Sequence, residues 1–260
     1  MKQFIQLLVI LLTSIALVSC EKIIEVDLNT SDKKYVIEGV LTDQAGRTQV
    51  KISQTKNFSG SNDFEGVNNA HVSILEEGGG STQLSQTSPG IYESAFKGTH
   101  GKKYTLLVTI DGKEYRAVSQ MPMPVPISDL FVTEMNMGSG IMRHINVVYQ
   151  DPQETGNFYR FVQYMNGKKE NQVFTRNDDL SNGRLTTAAL YTKEELKKGD
   201  VIKVELLHID AAVYKYWYSL DNDADSGGSA SPANPVTNLS GGALGYFSAH
   251  PVNEKILVVQ

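Results

Sequence analysis

Cysteine is almost missing from this chain: there is one, Cys20, in 260 residues. A single thiol excludes an intrachain disulfide and a thiolate metal cluster, so the fold must rest on its packed core. Basic clusters are missing as well. The formal net charge is −5, and without a Lys/Arg stripe nothing is available to neutralise a phosphate backbone, so nucleic acid is not an expected partner. The same balance argues against a polybasic membrane-binding surface. No G-x-S-x-G, H-E-x-x-H, phosphate-cradling glycine loop or dinucleotide fingerprint occurs. The five histidines, at 71, 100, 144, 208 and 250, are dispersed and offer no i,i+4 zinc pair. His71 and His208 fall in strand patterns, where a structural role is the ordinary one. No cofactor and no catalytic residue is expected, and no fixed repeat points to a solenoid or propeller.

What is present begins at the N-terminus, MKQFIQLLVILLTSIALVSC. Lys2 makes a positive start, and residues 4–18 form an apolar stretch of about 15 residues, short for a bilayer core that needs about 20. Leu17-Val18-Ser19-Cys20 then fits a lipobox. The pattern predicts a signal peptide over 1–19, cleavage between Ser19 and Cys20, and lipid on the Cys20 thiol and new amine. Several chains together hold a protein stably to a membrane where one is marginal. The competing reading is an uncleaved anchor with an incidental cysteine. Residues 20–33 read as a polar tether. Its Glu21-Lys22 start resembles the export signals of surface-displayed Bacteroidota lipoproteins, and also reads as a solvated linker. The expected location is the outer membrane, with the facing side left open.

Removing the signal leaves 241 residues with a formal charge of −6, enough for two domains. Over residues 34–120, short alternating runs are divided by Gly, Asn, Asp and Pro, with Asp111-Gly112 as a tight-hairpin dipeptide. That pattern predicts an N-terminal β-sandwich of the immunoglobulin/transthyretin type. Three prolines within 121–126 predict a stiff linker. Residues 127–260 predict a second β-rich, sandwich-like domain, with strands near 129–133, 145–149, 158–164, 201–209 and 256–259. Asp151-Pro152 and Asn166-Gly167 read as turns. A helical turn is expected over 193–198 between Thr192 and Gly199, and a short helix over 211–220 capped by Asp210. The fold class is therefore mainly β, two sandwich-like domains with a short helix in the second.

Tyr214, Trp217 and Tyr218 form the densest aromatic stretch. They are candidate ligand or partner contacts, or the face that pins the helix to its sheet. Asp221, Asp223 and Asp225 alternate as calcium ligands can, but Pro232 stands where a closing bidentate acid belongs, which favours an acidic helix exit.

Val36-x-Glu-Gly39, Asn69-Ala-His-Val-Ser-Ile74, Gly90-x-Tyr92 and Gly101-x-x-Tyr104-x-Leu106 resemble the carboxypeptidase-regulatory-like, transthyretin-like sandwich. Cys20-Glu-Lys, Val36-Ile-Glu-Gly39, Asp151-Pro152 before Asn157-Phe-Tyr-Arg160, and the run SPANPVTNLSGGALGYFSA over 231–249 together resemble a Bacteroidota lipoprotein family, domain of unknown function 4249. That resemblance implies a companion of TonB-dependent outer-membrane transporters and supplies no catalytic residues. The expected function is a non-enzymatic accessory or binding lipoprotein. Envelope adhesion or scaffolding is an alternative, and a glycan hydrolase built on two carboxylates is another.

Overall fold

In the computed structural model, the described residues are 33–56, 65–136, 141–192, 195–225 and 234–260. Ser19, Cys20 and the tether up to residue 32 lie outside them, and residues 33–260 form one compact unit. Apolar–polar alternation produces short strands in the first part: β1 Tyr35–Thr42, β2 Thr48–Gln54, β3 His71–Glu76, β4 Ser81–Gln83, β5 Ser85–Ser88, β6 Ile91–Ser94, β7 Lys103–Ile110 and β8 Lys113–Gln120. The second part carries β9 Ile127–Asn136, β10 Ile141–Gln150, β11 Phe158–Met165, β12 Lys168–Lys169, β13 Phe174–Asn177, β14 Leu185–Tyr191 and β15 Val201–Ile209. Helix α1, Ala211–Asp225, precedes β16 Leu244–His250 and β17 Val252–Val258.

Two sandwiches result. Sheet β16-β1-β2-β6-β5 packs on sheet β4-β3-β7-β8 around Ile37, Ile52, Ile74, Tyr92, Leu106 and Phe247. Sheet β14-β10-β9 packs on β12-β11-β15-β17, with β13 also on β11, around Ile145, Val147, Tyr149, Phe161 and Leu206. The mainly β class with one short helix is as the alternation predicts. Hairpins turn at Asp111-Gly112 (φ 50° and 77°) and Asn166-Gly167 (φ 51° and 81°), the left-handed pair that a twisted hairpin requires. Among the described residues no helix is long and apolar enough to cross a membrane.

Several expectations need correction. The chain does not divide at 121–126, because β16 leaves the second part and pairs in parallel with β1, Ile37 opposite Gly245 and Gly39 opposite Phe247. Pro251 alone then separates β16 from β17, so the chain crosses between sandwiches three times. The 121–126 segment is irregular as expected, yet it is no exposed spacer: Met121 is buried in the first core and Val125 in the second. Of the helical turn expected over 193–198, residues 193–194 lie outside the described residues and 195–197 are irregular. The helix expected over 211–220 runs on to Asp225. Strand β14, whose polar threonines hide its period, was not anticipated.

Close packing explains the glycines of the β1–β16 seam. A Cβ on Gly245 (φ +99°) would lie 2.1 Å from the Ile37 carbonyl oxygen, and one on Gly39 would lie 2.9 Å from both Leu106 and Phe247 side chains. Asn238 finishes the open edge of β16 by imitating a strand: Oδ1 accepts from Phe247 N at 2.9 Å and Nδ2 donates to Phe247 O at 2.8 Å. The run over 231–249 is therefore, over its described part, a docking device for the sandwich seam.

Asp210 joins the two halves at one residue. Its Oδ1 accepts from the N–H groups of Ala212 and Val213, both at 2.9 Å, capping α1 as the sequence predicts. Its Oδ2 accepts from Gln120 N at 3.1 Å and from the Ser119 hydroxyl, which in turn accepts from Ala249 N at 2.9 Å. One carboxylate thus ties α1 to β8 and, through Ser119, to β16.

Gly245→Ala should lower unfolding free energy by at least about 3 kcal/mol. Gly80→Ala, where a Cβ meets nothing within 4 Å, should stay within about 0.5 kcal/mol; urea denaturation compares them. Asp210→Ala should cost about 2 kcal/mol or more, since a cap and a half-buried acceptor for the buried Ser119 hydroxyl go together. Thermal unfolding checks it, and a loss no larger than that of an exposed cap would deny the second role.

Candidate functional site

The outer faces of β1 and β2 look across a cleft at the outer faces of β11 and β15. Period-2 alternation puts Glu38, Val40 and Thr42 on one wall with Gln49 and Lys51, and Arg160, Val162 and Tyr164 on the other with Glu205 and Leu207. Trp217 of α1 and Tyr246 and His250 of β16 complete a cavity of about 330 Å³. Strands β15 and β16 are buried on both faces for this reason, each sheet having its own sandwich on one side and the cleft on the other.

Two charges in the cleft, Glu205 buried and Arg160 half-buried, are treated differently. Glu205, 3% exposed, is fully engaged: Oε1 takes Arg47 at 2.8 Å and Lys203 at 2.9 Å, and Oε2 accepts from the Tyr164 hydroxyl at 3.2 Å. Burial would raise its pKa, but the hydrogen bonds and charge of Lys203 and Arg47 prevail and hold it below the usual carboxylate range. Arg160 lies flat on Trp217, its Cζ 3.4 Å from the ring centroid, and its buried Nε has no hydrogen-bond partner. Desolvation lowers its pKa, with Tyr246, Tyr164 and Glu38 acting the other way.

A third cluster of apolar residues underlies this charge layer: Val162, Leu207, Val213, Tyr216, Trp217 and Tyr246, with Tyr216 and Tyr246 rings 4.8 Å apart. Burial drives the Tyr216 hydroxyl up to about 12 and the Tyr246 hydroxyl higher still. Trp217, a candidate contact from sequence, therefore lines the cleft from beneath Arg160. Tyr214 and Tyr218 do not; they stack on each other at 5.5 Å, with Tyr214 against Phe158.

Asp221, Asp223 and Asp225, the calcium candidates, fall within the last turns of α1 rather than in a loop. Among the described residues no group of three or more His, Cys, Asp or Glu could hold a metal. His208 is buried with Nδ1 2.7 Å from the Met123 carbonyl and its ring 5.1 Å from that of Tyr159, a structural role. The Asp151 turn is likewise structural: its buried carboxylate accepts from the Tyr159 hydroxyl and from Ser181 Oγ at 3.0 Å.

Sequence reading missed Glu38, Lys51, Arg160, Lys169 and Glu205 as members of one site. One signal was available. Arg160 interrupts Phe158-Tyr-Arg-Phe-Val162 and Glu205 interrupts Val204-Glu-Leu-Leu207, charged residues in runs otherwise apolar on both faces.

A family profile described as Domain of unknown function (DUF4249) matches residues 21–256. The chain belongs to the DUF4249 family. No curated protein matches the sequence. Among solved structures, this DUF4249 chain is similar to "Cytokine receptor complex - Crystal form 1A" at 10% identity and a TM-score of 0.27, covering 86% of this chain and 95% of that one. A score that low carries no argument about fold or function. In this DUF4249 chain the Gly-Tyr-Phe element lies in β16 at the seam with β1, and Asn238 of the Asn-x-x-Gly-Gly element pairs with Phe247 of β16.

His250 gives the site a pH signature. It is buried, with Nδ1 2.7 Å from Ser248 Oγ; burial first, then Arg160 and Arg47, push its pKa from 6.5 down to about 3. The folded chain keeps it neutral while the unfolded chain protonates near 6.5, so unfolding takes up a proton between these values. Stability should therefore fall as pH is lowered from about 6.5 towards about 3. In His250→Gln the slope of unfolding free energy against pH should shrink by about 1.4 kcal/mol per unit near pH ~5. Urea titrations at several pH values check this, and an unchanged slope would show that His250 is protonated in the fold.

Proposed function

We propose that this chain is a lipid-anchored outer-membrane accessory protein of the Bacteroidota envelope that works by binding, with the inter-sandwich cleft as its ligand site, alongside a TonB-dependent nutrient transporter. The cleft carries the reading. It is the place where polar and charged side chains from both sandwiches converge over an aromatic floor, in a volume within reach of a small ligand. Its chemistry favours binding over hydrolysis. A glycosidase acid needs a raised pKa and a free oxygen, whereas both Glu205 oxygens are engaged and its pKa is lowered.

The address rests on residues 1–20, where Cys20 is the proposed lipid carrier and the membrane is reached through that lipid. The first sandwich, in this reading, is a regulatory-like module of the kind that such transporters themselves carry. Cys20→Ala should abolish labelling by palmitate and release the chain from the membrane fraction. The lipidated wild type should bring down a TonB-dependent transporter in mild detergent. Recovery of the chain alone, repeated across growth conditions, would count against the transporter partner, and retention of label in Cys20→Ala would remove the anchor.

A further inference from the structure

We infer that the inter-sandwich cleft is an oxyanion receptor, in which Arg160 grips a carboxylate or phosphate group of a small ligand and Lys51 and Lys169 flank it. The inference rests on the cleft being the ligand site and adds the chemical class of what it takes.

Glu205 is answered by Arg47 and Lys203. What remains on the walls is Arg160, Lys51 and Lys169 against Glu38. Among the described residues none of these three cations has a carboxylate within ion-pairing distance. The pKa of Lys169 is lowered by loss of solvent and then by its neighbours Arg160 and Lys51, with Glu205 and Glu38 opposing. Arg160 and Lys51 thus both disfavour the charge on Lys169, a repulsion that an anion in the cleft would relieve.

Arg160 is the centre of that excess. A guanidinium stays charged in a protein, and burying one without a carboxylate is costly. The Trp217 ring offsets part of the cost through its face, but it cannot accept in-plane hydrogen bonds, and Nε is left without a partner. Stacking also fixes the guanidinium plane. A flat, immobilised fork of N–H donors matches the two oxygens of a carboxylate or phosphate, and little freedom remains to be lost on binding.

The aromatic faces argue against a neutral sugar as the primary ligand. Trp217 is already covered by Arg160, and the Tyr164 ring has Lys203 Nζ 4.1 Å from its centroid. Rings occupied by cations are not free to stack on a pyranose. The volume of about 330 Å³ admits a molecule of monosaccharide size carrying one acidic group.

Trp217 is the sole tryptophan of the chain, so the full-length protein reports on its own site. Fluorescence and calorimetric titrations with glucuronate, inorganic phosphate and glucose, at constant ionic strength, make the test. A saturable response to glucuronate or to phosphate, at least tenfold weaker in Arg160→Gln and absent with glucose, is expected; which anion responds separates carboxylate from phosphate sources. If Arg160→Gln does not fold, Lys51→Ala combined with Lys169→Ala replaces two exposed side chains and should weaken the response several-fold. No saturable response to either anion overturns the inference, as does an affinity unchanged in the folded variants. Binding of glucose without binding of either anion overturns the oxyanion class while leaving the cleft as a ligand site.

Discussion

Everything distinctive in this fold depends on the parallel pairing of β1 with β16. The other strand pairs among the described residues are antiparallel and join segments through hairpins or within one sandwich. This one joins residues about two hundred apart and returns the chain to its first sheet after the second sandwich is built. It is possible because Gly245 has no side chain where the Ile37 carbonyl passes, and because Asn238 satisfies the backbone edge that β16 would otherwise leave open. With β16 in place, Pro251 turns the chain straight into β17, and the two sandwiches are held by short connections at two points.

That geometry makes the cleft. An outer sheet face is ordinarily solvated, so polar and charged side chains alternate outward along the strand. Here two such faces are brought together, and residues that would have been ordinary surface charges become a shared, partly dehydrated layer. Desolvation then sorts them. Glu205 gathers enough partners to remain ionised, while Arg160 is given an aromatic face and no acid. The contrast between a satisfied anion and an unsatisfied cation a short way along the same cleft gives the site its chemical bias.

Asp210 shows how economically the halves are coupled. A helix cap is a local device, legible from an Asp before an amphipathic run. The second oxygen of that carboxylate is turned to β8 and the Ser119 hydroxyl, so helix position, sandwich contact and the seat of Trp217 under Arg160 are linked through one side chain.

Local physics was legible in the sequence. Alternation revealed the mainly β class, Asp111-Gly112 and Asn166-Gly167 marked their hairpins, and Asp210 marked the start of α1, because each depends on residues close in the chain. The run over 231–249 stood out by composition, yet its purpose was hidden, since the strand it docks against lies near the N-terminus. The same distance concealed the domain boundary and the cleft. Arg160, Lys51, Glu38 and Trp217 come from separate elements, and only tertiary packing makes their charges neighbours. Long-range parallel pairing leaves no periodic mark between its partners, so the sequence determined which strands exist, and the folded chain decided which faces meet and which charge is left without a partner.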